Sequence, residues 1–220
     1  MTLIELAVTI FVLGVLSTVV VGLFVNISTT LTRDRASMDS TNVAAIGMNE
    51  VTKVIRAGTE IRVAGLTLND PVFATAMKEE MTLNAYLADS STGVLAPVKV
   101  RLAVDATTRE LTETRWSSTK NAAGYWIFST TAGAPRTIAR SLAVVAVPPA
   151  AGQRNLFTYY DKDGVELVIP AGGLTESQRR AVAAVQVSVT VQADQTGRAT
   201  PVTLQNTVGM PNLGVSRVGP

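Results

Sequence analysis

From Leu6 to Val25 the chain reads LAVTIFVLGVLSTVVVGLFV, twenty residues without a charge, fifteen of them apolar. Glu5 stands just before this run, and the next charged residue is Arg33. A helix rises about 1.5 Å per residue, so the run covers roughly the 30 Å hydrocarbon thickness of a bilayer. Residues 1–32 are therefore expected to form a helix of membrane-spanning length. A cleaved signal peptide would place basic residues before a short apolar run and small residues after it. Here nothing basic precedes the run. A plain membrane anchor explains the length but not Glu5, because an ionised carboxylate at a membrane edge needs a partner.

Past Arg33 the period changes. Ala44, Gly47, Met48, Val51, Val54, Ile55 and Gly58 recur at spacings of three and four, one face of an amphipathic helix, while Asn49, Glu50 and Lys53 fill the opposite face. Residues 33–58 are read as the continuation of the same helix, packed on a head of residues 59–220, with Gly58 expected as a left-handed stop. Such a helix is about 80 Å long, far beyond the globular average, and only its second half is patterned for a domain. Gly14 and Gly22 weaken the apolar half by about 1 kcal/mol each relative to Ala. They offer either local softening or close packing against another helix.

Beyond Gly58 the pattern turns to short alternating runs: 60–63, 98–104, 109–116, 125–130, 137–147, 156–160, 165–169 and 185–192. V-K-V-R-L-A-V over 98–104 is the period of a half-buried antiparallel strand. Asp105 to Thr108 and Asp161-Lys162-Asp163-Gly164 are expected hairpin connections, the second as a type I′ turn. Leu174 to Val182 reads as a short helical turn with Thr175 as N-cap. Pro148 to Gly152 is the loosest loop. The fold class is α+β: a long N-terminal helix whose apolar half protrudes, and an antiparallel β-rich head.

Composition narrows the chemistry. The 220 residues contain no His and no Cys. That excludes Ser/His/Asp and Cys/His triads, disulfides, thiol redox chemistry and zinc sites built from those ligands. With 19 basic and 17 acidic residues the net charge is only +2, unlike the strongly basic surfaces of most nucleic-acid binders. No Walker motif is present.

Thr2, Leu3, Ile4, Glu5 and Leu6, followed by the uncharged run, resemble the start of a mature type IV pilin or type II secretion pseudopilin, which share an F-T-L-I-E-L type motif. Met1 stands where that family usually has Phe. The resemblance implies cleavage by a prepilin peptidase after a glycine, N-methylation of Met1, residence in the cytoplasmic membrane with the head outside the cytoplasm, and extrusion into a helical surface or periplasmic filament. It also implies that Glu5 pairs with the terminal amine of a neighbouring subunit, which fixes register in an apolar core. The alternative for Glu5 is a first-turn residue favoured by the helix dipole. Many pilins carry a proline at the position of Gly22. A weaker resemblance joins E-V-T-K-V-I-R-A-G at the stem end, L-F-T-Y-Y-D-K-D-G-V-E-L, and L-T-E-S-Q-R-R-A-V-A-A-V-Q-V-S-V-T-V with P-V-T-L-Q-N. These are similar to larger minor pilins and J-type pseudopilins, whose chains end in a strand followed by Asn. The two resemblances cover residues 1–63 and 156–206.

Three further clusters invite a role. Asp161, Asp163 and Glu166 are oxygen ligands at D-x-D-G spacing, a candidate calcium site, although the twelve-residue EF-hand pattern is absent. Trp116, Tyr125, Trp126, Tyr159 and Tyr160 with Arg115, Lys120, Arg136 and Arg140 could stack on DNA, or could be cross-strand packing. Glu79, Glu80, Glu110 and Glu113 could form an acid/base pair, but their polar and alternating contexts favour a solvated face. The expectation is a structural subunit without enzymatic activity or cofactor. It would be a minor pilin that primes or tips a filament, with other pilins, an assembly platform and membrane lipid as partners. The alternatives are a major pilin, or a singly anchored surface module that binds a ligand or captures DNA.

Overall fold

Thr2 sits in extended conformation and caps the first helix, α1, which runs unbroken over Leu3–Arg56. The structure is a computed structural model and describes residues 2–62, 68–88, 93–145, 153–194, 196 and 199–211. The 54 residues of α1 correspond to about 80 Å. Its apolar half is rich in Val, Ile and Thr, which are indifferent helix formers in water. In lipid the helix has no rival, because unpaired peptide groups there cost several kcal/mol. The hydroxyls of Thr9, Thr18, Thr30 and Thr32 donate to the carbonyls four residues earlier, at 2.6 to 2.9 Å. Each is thereby satisfied inside the helix.

Seven residues of α1 are buried: Ser40, Ala44, Gly47, Met48, Val51, Val54 and Ile55. This is the face expected from the spacing, with Ser40 added; its hydroxyl accepts from the Ala193 N–H at 3.1 Å. The helix stops as expected near Gly58, but by a different device. Ala57 closes it in a right-handed conformation, and Gly58 does not adopt positive φ. Gly58 is required by closeness instead: a Cβ there would lie 2.9 Å from both the Ile55 carbonyl oxygen and a Val72 methyl.

The head has two main sheets. Strands β1 (Phe73–Ala76), β2 (Glu80–Ala88), β3 (Leu95–Val104), β4 (Leu111–Trp116) and, after a small ribbon of β5 (Ser118–Lys120) and β6 (Trp126–Phe128), β7 (Arg136–Ala139) form an antiparallel sheet ordered β1-β2-β3-β4-β7. Strands β8 (Phe157–Asp161), β9 (Glu166–Leu167), β10 (Val182–Val191) and β11 (Val202–Gly209) form the second, ordered β11-β10-β8-β9, with α2 (Glu176–Ala181) between β9 and β10. The sheets meet where Leu142 bridges Val191, so α1 lies across β10, β11 and β7 at once. One core cluster joins the helix face to both sheets. Tyr159 lies wholly buried in it, edge-on to Phe73 at 5.8 Å, and its hydroxyl donates to the Met77 carbonyl at 3.0 Å.

Several strand expectations are revised. Residues 73–88 supply two strands that the alternating runs did not predict. The run 60–63 gives only an isolated bridge between Ile61 and Asp70, with residue 63 outside the described residues. The runs 125–130 and 165–169 shrink to β6 and β9, and the described part of 137–147 gives β7 and the bridge at Leu142, with 146–147 outside the described residues. Both hairpins form where expected, and Thr175 caps α2. The turn at Asp161 is not type I′, which needs positive φ at two residues. Only Gly164 has it, at 76°, and its N–H donates to the Asp161 carbonyl, so the loop is a three-residue turn with the glycine at the left-handed position. Asn206 does not follow a strand but lies inside β11, where its amide donates to the Thr52 hydroxyl of α1 at 3.3 Å. The loop expected at 148–152 and Met1 both lie outside the described residues.

Candidate assembly surface

The apolar half of α1 is not buried against any other part of the chain among the described residues. Every residue from Thr2 to Arg35 is exposed, and none of the most apolar eighteen-residue window is buried. Eighteen large apolar side chains between Leu3 and Leu31 stand open, from 49% exposed at Val12 to 87% at Leu3. At roughly 1.5–3 kcal/mol for each such side chain fully buried, their hydration costs on the order of tens of kcal/mol. A surface of that size is met by lipid or by protein, not by water. Its length and composition are compatible with a membrane span.

Glu5 is held locally. The Thr2 N–H donates to Glu5 Oε2 at 2.7 Å and the Glu5 N–H donates to Thr2 Oγ1 at 3.4 Å, a reciprocal capping box. Glu5 Oε1 takes no hydrogen bond among the described residues. Glu5 thus stands in the first turn of α1 as part of its cap, with one carboxylate oxygen unpartnered among the described residues. The helix continues through Gly14 and Gly22, and a Cβ at either would meet nothing within 4 Å. With Thr18 between them, the two glycines form a strip at every fourth position of one helix face, the spacing that lets a second helix approach closely.

The other sequence candidates are dispersed. Asp161 Oδ1 accepts from the N–H groups of Asp163 and Val165, and Glu166 pairs with Arg154 at 3.3 Å. Among the described residues no group of three acidic side chains is placed to hold a metal. Tyr159 and Tyr160 belong to β8, in the second sheet. Trp126 and Phe128 lie on the β5–β6 ribbon, under the ammonium groups of Lys120 at 5.1 Å and Lys99 at 4.9 Å. These are cross-strand and cation–π packing contacts.

The four carboxylates read as a solvated face are each held by a guanidinium or hydroxyl. Glu79 takes a two-pronged bond from Arg109, Glu80 one from Arg101, and Glu110 faces Arg140 and Thr137. Glu113 departs from expectation entirely, for its side chain is 2% exposed. Arg115 Nε donates to its Oε1 at 2.8 Å, and Arg136 Nη2 to its Oε2 at 2.7 Å. The same Arg136 Nη2 reaches Glu50 of α1 at 2.8 Å. That bond, with the nearby charges, holds the Glu50 carboxyl below its usual range, and the two carboxylates hold the Arg136 guanidinium above its own. The signal was present in the parity of β4: Leu111 faces the core, so Glu113 and Arg115 must share its side. These groups line a groove of about 660 Å³ between α1, the end of β4 and residues 131–134.

No protein-family model matches this chain. No curated protein matches it in sequence.

Proposed function

We propose that this chain is a structural subunit of a type IV pilus or type II secretion pseudopilus, held in the membrane by α1 before assembly and packed through α1 afterwards. The observation that carries the reading is the wholly exposed apolar half of α1, with Glu5 at its edge and a folded head at its far end. The order Thr2-Leu3-Ile4-Glu5-Leu6 supports it. In this reading the spine exchanges lipid for neighbouring spines without meeting water, so its apolar area is nearly neutral in the transfer. Specificity then falls to groups that lipid cannot satisfy. Glu5 Oε1, unpartnered among the described residues, is the first of these, and the terminal amine of a neighbour is the partner that the repeating geometry of a fibre supplies.

The resemblance of the stem end and the last strands to larger minor pilins favours a priming or tip position over the bulk of the filament. Processing by a prepilin peptidase, methylation of residue 1 and a head outside the cytoplasm belong to the same reading. Quantitative mass spectrometry of filaments sheared from intact cells tests it. A methylated N-terminal peptide with this chain in trace amount is the expected result, and dominance of this chain would make it the major subunit. A chain confined to membranes with an unprocessed terminus would overturn the filament reading in favour of a singly anchored binding module.

A further inference from the structure

The groove beside Glu113 has a charge excess and an unpaired peptide edge that the filament reading does not use. Five charged side chains line it: Lys53, Arg115 and Arg136 against Glu50 and Glu113. The carboxylates are already bonded to guanidiniums, which leaves one positive charge in excess. The Lys53 ammonium makes no hydrogen bond among the described residues, and neither does Nη1 of Arg115 or of Arg136. Along the rim, Gly133 donates its N–H to the carbonyl of Arg115 in β4 at 2.8 Å, in line with the edge strand β7. Ala132 and Ala134 on either side are exposed, and their peptide groups take no partner among the described residues.

We propose that this groove receives an extended acidic segment of a partner protein. Its main chain would pair with the peptide groups of Ala132 and Ala134, and one Asp or Glu side chain would be seated among Lys53, Arg115 Nη1 and Arg136 Nη1. The buried Glu113 then acts as a positioning residue: it orients both guanidiniums and leaves a demand for one carboxylate and no more. Strand addition at an exposed edge supplies affinity, and the side-chain pocket supplies selection. A peptide suits the site better than an acidic sugar, because among the described residues no aromatic ring lines the groove and the unpartnered groups on the rim are peptide donors and acceptors. The inference stands on the groove alone and is independent of the filament reading.

The test uses the full chain, isotopically labelled in detergent micelles, with nuclear magnetic resonance shifts of the Ala132, Gly133 and Ala134 amides and of the arginine Nε–H groups. The probe is a blocked hexapeptide, Thr-Val-Thr-Glu-Thr-Val, beside its Gln counterpart and free glucuronic acid. The expected result is a saturable shift of both sets by the Glu peptide, with the Gln peptide at least about tenfold weaker because the charge-assisted bonds are lost. Lys53→Gln, at an exposed position, should weaken binding by roughly fivefold, and Lys53→Arg should restore it. Equal binding of the Glu and Gln peptides, no shift at millimolar peptide, or indifference to Lys53→Gln would each overturn the proposal. Glucuronic acid saturating all the same resonances would assign the groove to acidic sugars instead.

Discussion

Gly47 offers the sharpest test of how α1 sits on the head. A Cβ built on it lies 2.9 Å from the Cβ of Ala139 in β7, which is fixed to the backbone and cannot swing aside. Gly47→Ala gains about 1 kcal/mol of helix propensity. Against this, forcing a methyl into a close-packed seam costs about 1–3 kcal/mol, because the helix must retreat from β7 along its buried face. The net expectation is a loss of up to about 2 kcal/mol, and a fall in Tm of up to about 8 °C for a chain of this size. The same substitution at Gly14 or Gly22 meets nothing within 4 Å, so those variants gain helix propensity and leave the head's transition unchanged. Near-ultraviolet circular dichroism of the full chain in detergent, followed through thermal unfolding, reports the head through its tryptophans and tyrosines. A higher Tm for Gly47→Ala, or equal shifts for all three variants, would refute the close seam between α1 and β7.

Other substitutions test other parts of the argument. Glu5→Ala should leave membrane insertion intact and reduce recovery in sheared filaments; wild-type recovery would remove Glu5 from assembly. Glu113→Ala leaves two guanidiniums facing each other. The full penalty for breaking a buried pair is discounted here because Arg136 is 54% exposed and keeps Glu50, which leaves a loss of about 1–3 kcal/mol; an unchanged thermal midpoint would count against the cluster. Tyr159 is held above its ordinary value, first by burial. A folded-state pKa above the unfolded one contributes stability that is complete below about pH 10 and fades as pH rises past it, since only the unfolded chain can release the proton. Urea midpoints should therefore fall from about pH 10 upward, and Tyr159→Phe should flatten that slope. Glu50 has the opposite sign: its depressed carboxyl contributes above about pH 4.5 and is lost on acidification, by a small amount because the pair is partly exposed.

The long helix was legible because both halves carry a signal that tertiary contacts do not rewrite: an uncharged run of bilayer length, then a face at spacings of three and four. The strands were legible only in part. Met81, Leu83, Ala85 and Leu87 do alternate, and all four are buried in β2. Yet they follow Ala-Met-Lys-Glu-Glu, residues that favour helices in isolation, and the β preference of a segment depends on what it packs against. The Glu113 groove was misread for a related reason. A charged residue in an alternating strand was assigned to water by its chemistry, when its register beside Leu111 assigned it to the inside. Chemistry dominates at an exposed position, but register dominates once a neighbour of the same parity is in the core. The locally capped state of Glu5 depended on Thr2 standing three residues before it, the spacing of a capping box.

The two halves of α1 answer to different requirements, and their junction explains why one continuous helix serves both. Residues 3–35 are all exposed among the described residues, so whatever holds them transmits force to the head along the helix axis. That force enters the head over Ser40 to Gly58. There the buried face meets both sheets, and three polar ties fasten it: Ser40 to Ala193, Arg136 to Glu50, and Asn206 to Thr52. The ties leave α1 at Ser40 and, nearly three turns on, at Glu50 and Thr52, and each reaches a separate part of the head, beyond the end of β10, on β7 and on β11. Sliding the helix by one residue, about 1.5 Å, would break all three together and drive Gly47 out of register with Ala139. In the assembly proposed above, such a fastening carries the load to the head as a rigid-body displacement and not as a slip along the core.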